Sequence, residues 1–243
     1  FLISHIHRVH ETISFLCYAI QYKDYEKYIR EHPNANIVEM DTVLSSRDGR
    51  SCLLTLLFRK SNFMMAFKLE SKTSEEVRKV FLYLQRVLGY ELYKKVFEVI
   101  LTDNGSEFAN PLDIEIFNAI GEQVVKVFYC DPGKSGQKGK IEKNHVELRK
   151  IFPKSTNFDN FTQEQINIAL SHINSEPRAI LNGNAPGEIA HIWLNEKRGA
   201  SSLPYLMRVV AAIAGKYERR ERASKLTHLS FADTCIGQTA TFS

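Results

Sequence analysis

Asp103 closes the apolar run Val99–Thr102 and is followed at once by Asn104 and Gly105. Asp is a poor strand former, so a carboxylate at the end of such a run serves either a turn or chemistry at the rim of a sheet. Asp41 is odd in the same way, lying inside the alternating stretch "ANIVEMDTVLSS" with Ile37, Glu39 and Val43 on its own face. It either sits near solvent at an edge or is held beside a cation. Glu142 falls in the first turn of a helix behind a glycine-bearing loop, where it is either a favourable dipole contact or a side chain reaching back across the sheet end. Three acids gathered in one place repel one another unless positive charge is supplied. Hard, oxygen-preferring divalent ions such as Mg²⁺ supply it, and two of them roughly 3.5–4 Å apart suit in-line phosphoryl displacement.

The elements that must position these acids are legible in order. A helical lead-in stops at Pro33, and the strand of Asp41 follows. Arg47-Asp48-Gly49-Arg50 signals a hairpin, "SCLLTLLFRK" and "FMMAFKLE" complete a three-strand antiparallel meander, and Thr73–Glu76 reads as a capping box. The helix it opens runs to Gly89; then come a strand over Phe97–Thr102, a short helix near Pro111 and a strand over Val124–Cys130. The loop "DPGKSGQKGK" leads to a helix over about Ile141–Phe152, Thr162–Gln165 opens another to about Ser175, and Pro186 starts a last one. The fold class expected is α/β: a ribonuclease-H-like mixed sheet, a meander followed by strand–helix units, flanked by helices. If the fourth strand pairs beside the first, Asp41 and Asp103 can meet.

Composition fits an ordinary soluble chain: 243 residues, 44% hydrophobic, 25% charged, net charge +4. The charge is too mild to identify a polyanion partner, but Lys134, Lys138, Lys140, Lys143 and Arg149, with Lys150 and Lys154, crowd around Glu142. They read either as phosphate contacts or as a solvated helix face. His145 shares a helical face with Glu142 and either orients a phosphate or simply packs; Asn104 either supports a metal site or makes the turn. Glu107 is a surface residue or a competing carboxylate. Cys17, Cys52, Cys130 and Cys235 form no C-x-x-C pair, and the three that lie in apolar runs read as buried thiols of a reducing cytoplasm. No run suits a membrane span, and a phosphate-loop pattern is absent.

"VEMDTV", "ILTDNGSEF" and "FYCDPGKSGQKGKIEKNHVELRKIFPK" resemble, in order, the three acidic motifs of DDE transposases, most closely the insertion-sequence-thirty family of the retroviral-integrase superfamily. "HINSEPRAILNGNAPGEIA" resembles the stretch beyond the family's catalytic Glu, and the spacings, 103 − 41 = 62 and 142 − 103 = 39, fit. Gly136 stands where that family usually carries Trp. The resemblance runs from about Tyr25 to Lys197. It implies an enzyme, a DDE-type transposase, in which Asp41 touches both of two Mg²⁺ ions and Asp103 and Glu142 complete one site each, with Mn²⁺ able to substitute. It further implies hydrolysis at transposon ends and 3′-hydroxyl strand transfer, with terminal inverted repeats and target DNA as partners. A homo-oligomer, no membrane, and a cytoplasmic, nucleoid-associated bacterial setting complete the expectation. The alternatives are a nuclease of the same fold without strand transfer, or an inactive DNA-binding remnant. Residues 1–33 are read as the remnant of a linker to an absent N-terminal DNA-binding region, 34–198 as the integrase-like core, and 199–243 as a helical, basic segment with a loose tail.

Overall fold

The computed structural model describes residues 20–115 and 123–198; the expectations for 1–19 and 199–243 lie outside the described residues. Its centre is a six-stranded mixed sheet of β1 (Ile20–Gln21), β2 (Ile37–Leu44), β3 (Cys52–Phe58), β4 (Phe63–Leu69), β5 (Val99–Thr102) and β6 (Lys126–Tyr129), in the order β1-β6-β5-β2-β3-β4. β2, β3 and β4 pair antiparallel as the expected meander, while β5 joins β2 and β6 joins β5 in parallel. The two-residue β1, parallel to β6, was not foreseen. This is the strand order of a ribonuclease-H-like fold.

The helices α1 (Tyr22–Glu31), α2 (Ser74–Val96), α3 (Gly139–Ile151), α4 (Gln163–Ser175) and α5 (Pro186–Arg198) cover the sheet. "CLLTLLF" is buried at every position of β3 because both faces are covered. On one face Val38, Met40, Leu54, Leu56 and Ile100 pack with Val80, Phe81, Leu84 and Phe97 of the α2 region. On the other, Val43, Leu53, Leu57 and Met64 meet Ile141 and Leu148 of α3 and Ile166 and Ile173 of α4. Next to them Val99, Leu101 and Phe128 pack under Tyr25 of α1.

Sequence-based boundaries hold where local chemistry sets them. At Thr162 the capping box forms in full. At Thr73 only half of it does: the threonine accepts from Glu76 N, while the Glu76 carboxylate turns back to accept from Glu70 N at 3.3 Å. The helix expected to end at Gly89 instead breaks there, at φ +69° and ψ 166°, and resumes to Val96. Tyr93, fully buried, anchors that second segment by donating from its hydroxyl to Ile114 O at 2.8 Å. Near Pro111 the described residues form a 3-10 turn, Pro111–Asp113, and the continuation of the expected helix past Glu115 lies outside them.

β4 is the outer strand, and four of its outward-facing backbone groups are paired by side chains of α4. Met64 N donates to Asn174 Oδ1 at 2.9 Å and Asn174 Nδ2 donates to Met64 O at 2.8 Å. Gln163 bridges the next two outward-facing residues, accepting from Lys68 N and donating to Ala66 O. Met64 N and O, Ala66 O and Lys68 N are thereby satisfied at this edge without another strand.

Candidate active site

Register brings the two aspartates together. β2 and β5 pair in parallel as Ile37↔Val99, Val38↔Ile100 and Glu39↔Leu101. Two residues further on, along the same face, stand Asp41 and Asp103. Glu142 arrives on the first turn of α3, which packs over that face. All three line one open pocket of about 510 Å³, with Thr42, Lys72, Glu107, Asp131, Lys134 and Lys138 among its walls. Lys72 reaches the same rim because β4 runs parallel to β2 and its chain ends on that side.

The two readings of Asp103-Asn104-Gly105 are compatible. Asp103 Oδ1 accepts Gly105 N at 3.1 Å, the bond of a local turn, and Oδ2 remains for the pocket. The turn does not use positive φ, however. Gly105 has φ −60°, and it is small for a different reason: a Cβ there would lie 2.6 Å from Glu107 Oε2. Asn104 donates to Cys130 O at 2.8 Å, fastening the loop after β5 to the end of β6.

Glu107 is buried, at 2% exposure, rather than on the surface. Thr42 Oγ1 donates to its Oε1 at 2.6 Å and Lys72 Nζ lies 3.3 Å away, while Oε2 has no hydrogen-bond partner. His145 is partly buried; its Nε2 is 2.9 Å from Thr55 Oγ1 and its Nδ1 3.8 Å from Asp41 Oδ2. Burial lowers its pKa from the ordinary value, against the opposing pull of the Asp41 carboxylate.

Lys138 departs most from expectation. Instead of facing outward for DNA it is 4% exposed, its ammonium 2.8 Å from Asp103 Oδ2 and 3.4 Å from Asp41 Oδ1. Burial pulls its pKa down, but Asp41 and Asp103 more than offset this and hold it above the ordinary lysine value. Of the other basic residues, Lys134 is exposed, lines the pocket and pairs with Asp131 at 3.4 Å; Lys140 is exposed and donates to Arg59 O at 2.9 Å. Lys143 is exposed on α3. Arg149 is turned to main-chain carbonyls, donating to Pro153 O at 3.2 Å and to Leu44 O at 3.4 Å.

One buried pair not singled out from sequence supports the site from beneath. Glu39, fully buried, accepts from Arg59 Nε at 2.5 Å and from Ile141 N at 2.6 Å. Arg59 also donates to Gln137 O, at 3.0 Å, and to the Tyr25 hydroxyl. The available signal was a charged residue within an apolar alternation, two positions before Asp41 on the same face.

The carboxylate oxygens of Asp41, Asp103 and Glu142 are the donor chemistry a hard divalent ion takes, and the ammonium between the two aspartates marks a place that accepts positive charge. Among the described residues, however, no group of three or more His, Cys, Asp or Glu side chains is already gathered tightly enough to grip a metal. The donors fit in kind; Lys138 stands between them.

By its strand order and helix placement the molecule is a ribonuclease-H-like domain with an acidic pocket at the sheet's rim. Over about 60% of its length the chain is similar to transposases of insertion sequence IS30 and to a viral protein named for an integrase. It is 36% identical over 149 residues to a protein named as integrase ORF3 of Spiroplasma virus SpV1-R8A2 B, covering 61% of this chain and 44% of the relative. It is 30% identical over 146 residues to transposase InsI for insertion sequence element IS30C of Escherichia coli (strain K12), covering 60% and 36%. The matched stretch thus spans less than half the length of these relatives. A chain of the simian T-cell lymphotropic virus intasome in complex with the PP2A regulatory subunit B56 gamma superposes with a TM-score of 0.48 and 18% identity, over 64% of this chain and 54% of that one. No protein-family model matches the chain. Among the described residues no helix is long and apolar enough to cross a membrane.

Proposed function

We propose that this domain is the catalytic core of a DDE-type DNA transposase, with Asp41, Asp103 and Glu142 as the ligands of two Mg²⁺ ions, and DNA ends and target DNA as substrates. The observation that carries the reading is the convergence of these acids, from β2, the end of β5 and the first turn of α3, on one open pocket. Homology to IS30-type transposases and an integrase supports it. When bound, such ions polarise a phosphodiester and favour the attacking and leaving oxygens of an in-line displacement. The chain's own part is placement. β2 carries Asp41, the end of β5 delivers Asp103 beside it, and the first turn of α3 brings Glu142 to the same pocket. Exposed Lys134 lines the pocket and exposed Lys143 follows Glu142 on α3, and both offer positive charge for phosphates without reading sequence. Paired DNA ends would call for a homo-oligomer.

The test is a strand-transfer assay. Purified protein, Mg²⁺, a duplex carrying a candidate end labelled at its 3′ strand, and plasmid DNA should yield label covalently joined to plasmid. Asp103→Asn should abolish nicking and joining while leaving the circular dichroism spectrum unchanged. Nicking without joining would favour the nuclease reading. Joining by Asp103→Asn at the wild-type rate would remove the site assignment.

A further inference from the structure

Lys138 enters the pocket from the 3-10 turn Ser135–Lys138 that precedes α3. Three oxygens surround its ammonium: Asp103 Oδ2 at 2.8 Å, Asp41 Oδ1 at 3.4 Å and Met40 O at 3.4 Å. With the side chain 5% exposed, this is no adaptable surface ion pair. A buried ammonium is tolerated only where such oxygens replace the water it has lost. Two of the three belong to the carboxylates that the proposed reaction assigns to a divalent ion, and this inference rests on that assignment. The ammonium and a divalent ion cannot both occupy the space between Asp41 and Asp103, because like charges at that separation repel.

We infer that Lys138 is a tethered counter-cation, which holds Asp41 and Asp103 together until a divalent ion enters and displaces it. The turn that carries it is held at Gln137, by Arg59 and Asp131, so the displacement is a swing of the lysine side chain itself beside open space. Gly136 and Gly139 flank Lys138, and a Cβ at either would meet nothing within 4 Å. Gly133, at φ +73°, sets the direction of the loop one turn earlier. The inference accounts for an acidic pocket that contains suitable donors and yet no preformed cluster of three metal-ligating side chains among the described residues.

The test compares the whole chain with Lys138→Met in titrations with MnCl₂, following free Mn²⁺ by electron paramagnetic resonance and the melting temperature in parallel. A tethered competitor lowers apparent affinity by the fraction of molecules in which it has moved aside, so the variant should bind Mn²⁺ at least about tenfold more tightly. Without metal it should melt lower than wild type, because the facing carboxylates lose their counter-charge, and Mn²⁺ should raise its melting temperature by the larger increment. Equal or weaker binding by the variant overturns the displacement while leaving the metal reading intact. Binding by neither protein overturns the metal reading and the inference with it. Should Lys138→Met fail to fold, the wild-type protein with ¹⁵N-labelled lysine gives a second measurement. A slowly exchanging ammonium resonance assigned to Lys138 should disappear on addition of Mg²⁺, and its persistence at saturating Mg²⁺ would overturn the inference.

Discussion

Glu39 Oε2 accepts the backbone N–H of Ile141 at 2.6 Å, and through that bond the middle of β2 grips the first turn of α3 one residue before Glu142. The first N–H groups of a helix have no partner within it, and a carboxylate at that end satisfies one of them and favours the helix dipole. The same carboxylate takes Arg59 Nε, and Arg59 holds the Gln137 carbonyl in the loop ahead of α3. The position of Glu142 relative to the sheet is therefore set by a buried ion pair that does not face the pocket.

Glu39→Ala should consequently cost more than its lost contacts. It leaves the Arg59 guanidinium, whose side chain is 21% exposed, without its counter-ion and the Ile141 N–H without its acceptor. Removing one member of a buried pair costs about 3–5 kcal/mol, and the partial exposure of Arg59 puts the expected loss near the lower end, about 3 kcal/mol in urea unfolding. Glu39→Gln, which keeps an acceptor for Ile141, should lose less and retain slow amide exchange at Ile141. If Glu39→Ala unfolds within about 1 kcal/mol of wild type, the pair is not the support described here.

The outer edge of β4 gives a second expectation. Asn174 pairs with both the N–H and the C=O of Met64, and each buried backbone group left without a partner costs about 1–3 kcal/mol. Asn174→Ala should destabilise the domain by at least about 2 kcal/mol and speed amide exchange at Met64. Asn174→Asp should not rescue it, since a carboxylate accepts from the N–H but offers nothing to the carbonyl. Unchanged exchange at Met64 in the alanine variant would show that water replaces the amide at no cost.

These pairs also explain how far the sequence could be read. The apolar run "CLLTLLF", the turn at Asp48-Gly49 and the Thr162 capping box are local, and the fold follows them closely. Asp41 and Asp103 were legible because each is a carboxylate where a strand wants an apolar side chain, and parallel pairing of β5 with β2 then sets them side by side. Lys138 was not: within "GKSGQKGK" a lysine reads as solvent-facing, and only the backbone path through Gly133 and the 3-10 turn swings it inward. Gln163 and Asn174 were missed for a similar reason. An amide on an amphipathic helix reads as its polar face, and its use depends on a strand about a hundred residues away, 163 − 66 = 97 for Gln163 and Ala66. Gly89 reads as a helix end, and what continues the chain helically beyond it is the burial of Tyr93, a tertiary effect.

Gly89 accordingly makes a clean test of backbone conformation. Its φ of +69° with ψ 166° is a region that side-chain-bearing residues avoid, yet a Cβ there would meet nothing within 4 Å. Gly89→Ala should lose about 1–3 kcal/mol through backbone strain alone. A helix running straight through position 89 would give the opposite sign, since alanine is the better helix former by about 1 kcal/mol. Equilibrium unfolding of the single variant thus decides between a break and a continuous helix.

Asp159 supplies the expectation for pH. Its carboxylate accepts Ser51 N at 2.8 Å and Arg50 N at 3.1 Å, tying the segment between α3 and α4 to the end of the β2–β3 hairpin. Hydrogen bonds from Ser51 foremost, then from the Arg50 backbone, bring its pKa down to about 2 from an ordinary 3.8. A carboxyl group whose pKa is lower in the folded state adds stability above its unfolded pKa and loses it as pH falls through the folded one. The advantage of wild type over Asp159→Ala should therefore be constant from neutrality down to about pH 4 and shrink between about 4 and 2. In ¹³C spectra the Asp159 carboxyl should titrate with a midpoint near 2. A midpoint at the ordinary 3.8 would mean that the hairpin is not held by this residue in solution.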